Sequence, residues 1–112
     1  IGRGFFMVMR AEIWLIDFEK PVGSVTQRRW PCIIVSPEEM DEHLNTLIVA
    51  PLSTQELPAP FRVPVNFMQK DGLILLDQIF TLEKSRLIRK LGVVNDETIT
   101  KALEVLQEVF AH

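Results

Sequence analysis

Four short stretches carry side chains able to act on a phosphate. Gln27-Arg28-Arg29 lies in a polar connection and ends at Trp30-Pro31. Guanidinium forks match phosphate oxygens bidentately, and an aromatic ring beside them can stack on a base. A solvated turn beside a core tryptophan accounts for the same residues. Pro51-Leu52-Ser53-Thr54-Gln55 places two hydroxyls and an amide after an apolar run. Such hydroxyls donate to a phosphate or cap their own turn. Asp77-Gln78 interrupts the most apolar stretch, and a carboxylate there needs a partner, either an arginine or backbone N–H or a ligand. Lys84-Ser85-Arg86-Leu87-Ile88-Arg89-Lys90 is a second basic cluster, read as a solvated connector or a phosphate-facing rim.

Other chemistry finds little support. His43 and His112 lack a nucleophile at a telling spacing, which argues against a hydrolase triad. Glu38, Glu39, Asp41 and Glu42 read as a solvated acidic turn, and no cysteine–histidine spacing resembles a zinc site, so no metal or other cofactor is expected. Cys32 sits in an apolar run and reads as core.

The elements that position these groups are mostly strands. The segments 11–18, 32–35, 47–50, 61–65, 72–79 and 89–94 are β-branched, apolar or alternating. Pro37 stops the second and Pro51 closes the third, while Pro64 makes the fourth an edge strand. Ser36 and Pro37 suit the cap and first position of a short helix over 37–43. The period then changes: Ile99, Ala102, Leu103, Leu106, Val109 and Phe110 mark one helical face, behind Asn95 as N-cap. The expected architecture is mainly β, a bent sheet or barrel of five or six strands with a C-terminal helix over part of it.

At 112 residues the chain is one domain, and 47% apolar residues exclude wholesale disorder. A net charge of −3 argues against coating nucleic acid through charge alone, though a basic site remains possible. No run of about 18 apolar residues suggests a transmembrane helix. Residues 1–8 read as a leader or vector remnant, with an extension of the first strand as the alternative. Residues 9–112 read as the domain.

The order of these motifs resembles the MazF/PemK/Kid toxins of bacterial toxin–antitoxin pairs, from Arg10 to about Phe110. Arg10-Ala11-Glu12-Ile13-Trp14 matches R-G-[ED]-[IV]-[WY], and the stretch Gly23 to Pro37 matches G-S-E-Q-x-G-x-R-P followed by a β-branched run and Ser-Pro. Pro51-Leu52-Ser53, Pro60-Phe61-Arg62-Val63 and Gly72 to Thr81, with Asp77-Gln78, match the remaining blocks in order. The resemblance implies an SH3-like barrel of the CcdB/Kid type and a cytoplasmic homodimer. It also implies a cognate antitoxin with an acidic, partly disordered tail, and metal-independent cleavage of single-stranded mRNA. The implied catalytic positions fall on Trp30, with Arg29 beside it, Ser53 and Asp77. The implied RNA contacts fall on Gln27, Arg28, Thr54 and Gln78.

This chain departs from the pattern where it matters. The family's arginine before the proline is Trp30, its acidic residue two after the glycine is Val25, and a Kid-type arginine two before Asp77 is Leu75. An indole cannot form a charge-assisted pair with phosphate. Three readings follow: an inactivating Arg-to-Trp change, a one-residue slip that lets Arg29 take over, or natural loss of cleavage. The first is preferred, because Trp30→Arg restores the pattern. The competing classes are a CcdB-like gyrase poison, whose terminal Trp-Gly-Ile is absent from this sequence, and a catalytically dead antitoxin-binding homologue.

Overall fold

A computed structural model describes residues 7–20 and 23–111. Seven strands form one curled antiparallel sheet: β1 (Glu12–Asp17), β2 (Arg29–Ile34), β3 (Thr46–Ser53), β4 (Arg62–Phe67), β5 (Lys70–Leu75), β6 (Phe80–Glu83) and β7 (Leu87–Val93). Helix α1 (Glu38–Leu44) links β2 to β3, and helix α2 (Asp96–Val109) follows β7. The strand order is β4-β5-β3-β2-β1-β7, with β6 on the first half of β3.

The sheet buries both faces, which is why β2 reads as a continuous apolar run. Ile13, Ile33, Ala50, Leu52, Val63, Val65 and Ile74 pack under Ile99, Ala102 and Val105 of α2. The alternate residues Ile16, Cys32, Ile34, Leu47 and Val49 form a second core, edged by half-buried Trp14, Trp30, Phe80 and Leu82. Burial in that core pushes the Cys32 thiol well above the ordinary thiol range, so it is an inert core group. Val8 is also fully buried there, so the packed domain includes the end of the stretch read as a leader. Residues 1–6 lie outside the described residues.

Helix α2 forms as expected: Asn95 Oδ1 accepts the Thr98 N–H at 2.8 Å, and Asp96 and Glu97 sit at the positive end of the dipole. Phe110, counted into its apolar face, is instead exposed beyond the last turn.

Several expectations are corrected. Ser36 does not cap α1; its buried Oγ accepts the Ile48 N–H, and Pro37 is the cap residue, without a side-chain bond. Pro51 does not close β3. It lies where one side of β3 changes partner, from β6 at Thr46–Val49 to β5 at Leu52–Ser53, so its missing N–H costs no ladder bond. The 72–79 run is not one strand: β5 ends at Leu75 and Leu76–Gln78 form a single 3-10 turn, after which β6 starts. Arg29 is the first residue of β2, opposite Asp17, and not a loop residue. Ala11 adopts φ +79°, where the family pattern carries the glycine that this conformation favours.

Candidate functional site

A groove of about 790 Å³ opens between the β1–β2 connection, the end of β3 and the β4–β5 hairpin. Gln27, Arg29, Trp30, Ser53 and Thr54 all line it, so five of the eight candidate residues converge. The sheet explains the convergence. Ser53 ends β3 and faces Leu73 of β5, while Trp30 near the start of β2 reaches the preceding residue, its indole N–H donating to the Leu52 carbonyl at 2.7 Å.

That bond fixes the ring and uses the only donor an indole has. Trp30 also packs on the second core, in line with Cys32 and Ile34. Arg29 belongs to the opposite face of β2, because side chains alternate along a strand and the pairs Ile16↔Trp30 and Asp17↔Arg29 hold the register. Arg29 reaches the groove edge, but it does not occupy the place of Trp30.

The Ser53 hydroxyl accepts the Gln55 N–H at 3.2 Å, so it caps its turn and still has a proton to donate into the groove. Arg29 and Lys70 line the groove without an ion pair among the described residues, so their charge is available to an anion. Lys70 was not singled out from the sequence.

Three candidates are engaged elsewhere. Arg28 pairs with Asp17 at 2.8 Å and is not on the groove wall. Asp77 also lies off the wall, taking two bonds from Arg62 at 3.2 and 3.1 Å. Gln78 donates to Ser24 Oγ at 2.9 Å and accepts the Ser24 N–H at 2.8 Å. Ser24 Oγ also bonds Glu56, and Glu56 lies 3.6 Å from Arg62. Asp77, Arg62, Glu56, Ser24 and Gln78 thus form a closed ring that ties the β1–β2 connection, the β3–β4 loop and the 3-10 turn into one frame for the groove. Gly23 belongs to the frame as well: at φ +54°, a Cβ there would stand 2.7 Å from Gln78 Oε1. Glu56 and Arg62 were missed, because their partners lie in other segments. The only signal was a charged residue in the alternating stretch of β4.

The second basic cluster is the 3-10 turn Lys84–Arg86 and the start of β7, and its cations other than exposed Arg89 are paired. Lys84 is buried against Asp41 at 2.9 Å, Arg86 pairs with Glu19 at 2.7 Å, and Lys90 pairs with Glu12 at 2.9 Å. Asp41 is therefore not part of a solvated acidic turn. Among the described residues, no group of three or more histidine, cysteine or carboxylate side chains is gathered as a metal site.

The ion pairs set the acid response. The Arg62 guanidinium holds Asp77 below the usual carboxylate range, and Arg28 does the same for Asp17. Burial alone would raise Glu12, but bonds from the Met9 N–H, Trp14 and Lys90 outweigh it and leave it lowered. Each carboxylate titrates lower in the fold than in the unfolded chain. Its stabilisation is complete above the ordinary range, near pH 4, and disappears as pH falls through the lowered value. Urea midpoints should therefore stay level from neutral pH to about pH 5 and fall below about pH 4. Asp77→Asn should lower the neutral midpoint and reduce that fall.

The model of the PemK-like, MazF-like toxins of type II toxin–antitoxin systems matches residues 9–110. The endoribonuclease EndoA of Bacillus subtilis is 29% identical over 107 residues, covering 90% of this chain and 92% of its own. A mycobacterial endoribonuclease solved with its cognate antitoxin superposes with a TM-score of 0.76 at 24% identity, covering 90% of this chain and 92% of that one. MazF from Deinococcus radiodurans gives 0.76 at 17% identity, over 93% and 96%. At those identities the two structures speak for the fold, a curled β-sheet with a C-terminal helix. With the match along nearly its whole length, the chain belongs to the PemK-like, MazF-like toxins of type II toxin–antitoxin systems.

Proposed function

We propose that this chain is an RNA-cleaving toxin scaffold that acts as a homodimer on single-stranded mRNA without metal, and that Trp30 has taken the place of its main phosphate donor. The groove carries the reading. It combines a hydroxyl, Ser53, with two cations free of ion pairs among the described residues, Arg29 and Lys70, beside an aromatic wall. The chemistry suits such a set. A ribose 2′-OH attacks the adjacent phosphorus in line, the 5′ oxygen leaves with a proton, and a 2′,3′-cyclic phosphate remains. Fixed donors at the phosphorane oxygens lower that barrier.

Asp77 is a weak general base here, because Arg62 occupies both of its oxygens and lowers its pKa. Its place in the ring makes it a positioning group for the groove walls. Binding of an antitoxin is the partner reading that the family and the mycobacterial complex support, with an acidic tail meeting Arg29. Arg28 joins it only by exchanging Asp17.

A catalytically silent, antitoxin-binding form of the same protein is the second reading, favoured by one observation: the only donor of the Trp30 side chain is bonded to Leu52. Incubating the chain with end-labelled single-stranded RNA in EDTA tests both. Cyclic-phosphate ends supports the nuclease, and intact RNA with retained antitoxin binding supports the silent form. Light scattering at tens of micromolar should give a dimer; a 12.9 kDa particle would contradict the assembly.

A further inference from the structure

The two-residue turn Met68-Gln69 joins β4 to β5, with Phe67 opposite Lys70. Both turn residues have positive φ, +52° and +64°. A tight hairpin of this kind favours Asn-Gly, because other side chains crowd the backbone there. Methionine and glutamine gain nothing locally from this conformation. Met68 is also 68% exposed, so it gains nothing from burial either. Yet the turn hangs over the groove, and Met68 and Lys70 both line it. Strain kept at a site margin points to use.

The groove has two chemical halves. Trp30, Pro31, Leu52, Phe67 and Met68 make an apolar side, and the indole of Trp30 is fixed by its bond to Leu52. Arg29 and Lys70 line the same groove as cations free of ion pairs among the described residues. Glu56, the carboxylate on the wall, is already engaged by Ser24 and Arg62. An acidic ligand with a flat apolar part matches this division, and an unpaired nucleotide has that form.

Building on the RNA reading, we infer that Trp30 and Met68 form a clamp for one unpaired nucleobase, with Arg29 and Lys70 taking the adjoining phosphates. Aromatic rings hold bases through stacking, and a thioether packs adaptably on a π-face. The substitution that removed the phosphate donor at position 30 thereby gives a base-binding surface.

Two oligoribonucleotides of equal length test the clamp, one carrying uracil throughout and one abasic with the same ribose-phosphate backbone. Binding to the full chain is read by fluorescence anisotropy of a label on the oligonucleotide. The clamp predicts at least about tenfold tighter binding of the uracil strand. Met68→Asn suits the positive φ, so it should raise the urea midpoint while weakening the uracil strand about fivefold or more and leaving the abasic strand unchanged. A purely structural role for Met68 cannot move stability and base affinity in opposite directions. Equal binding of the two oligonucleotides, or unchanged uracil-strand affinity in Met68→Asn, would overturn the clamp while leaving an RNA-backbone site intact. Absence of binding by either oligonucleotide would overturn the RNA reading and the clamp with it.

Discussion

Trp30→Arg should raise metal-independent RNA cleavage by about a hundred- to a thousand-fold, the usual worth of one fixed donor to a phosphorane-like transition state. The structure gives the new guanidinium a place to work. The Leu52 carbonyl, now bonded to the indole at 2.7 Å, would accept one N–H, orienting the fork beside Ser53. The remaining donors would face the groove. The cost to the fold is bounded, since Trp30 sits at the edge of the second core, where an arginine stem can replace part of the contact. Ser53→Ala in the Trp30→Arg background should lower cleavage again. Both proteins should be compared at equal concentration on the same single-stranded substrates in EDTA. Strong cleavage by the Trp30 chain would show that Arg29 and Lys70 suffice. A well-folded Trp30→Arg protein that cuts nothing on a wide RNA panel would favour the silent, antitoxin-binding form.

The position of that substitution was legible in the sequence, because Trp30-Pro31 stands inside an ordered series of motifs. The groove-lining candidates Gln27, Arg29, Ser53 and Thr54 were legible for the same reason. What sequence did not show was which charges are free. Arg28 and Arg29 are neighbours with the same side chain, yet Arg28, just before β2, pairs with Asp17, while Arg29, the first residue of β2, lines the groove. Asp77 was read as needing a partner, but the partner, Arg62, lies 15 residues earlier on the edge strand. Local periodicity carries no information about such pairings. The strands themselves were found where apolar residues alternate or cluster, and misjudged where proline was taken as a stop. Pro51, read as closing its strand, lies within β3, and Pro31, placed just before the second strand, lies within β2. In β2, the pairing with β3 runs from Cys32 to Ile34, so Pro31 falls outside that ladder, as Pro51 falls between the two partners of β3. Ladder bookkeeping, unlike residue propensity, requires the whole sheet.

Lys84→Met should destabilise the fold by about 3–5 kcal/mol. Lys84 and Asp41 are 43 residues apart and both nearly sealed from water, with side chains 4% and 6% exposed. Their 2.9 Å pair joins α1 to the turn between β6 and β7, and the same junction is drawn together by the Lys84 N–H on the Asn45 carbonyl. Removing the cation leaves a buried carboxylate with nothing to balance it. Asp41 Oδ1 already has no hydrogen-bond partner among the described residues, so the site holds no spare donor to take over. Asp41→Leu combined with Lys84→Met should recover most of the loss, because an apolar pair of similar volume avoids the desolvation cost that the ion pair bears. Urea denaturation of the parent, both single variants and the double variant closes the cycle. A strongly favourable coupling, with the double variant near the parent, shows that the two charges are needed for each other and not for the fold. Additive losses would instead mean that each side chain stabilises the junction through separate contacts. Because the pair is remote from Trp30 and Ser53, the double variant should retain the RNA affinity of the parent. A drop in that affinity without a drop in stability would tie the α1 junction to the geometry of the groove.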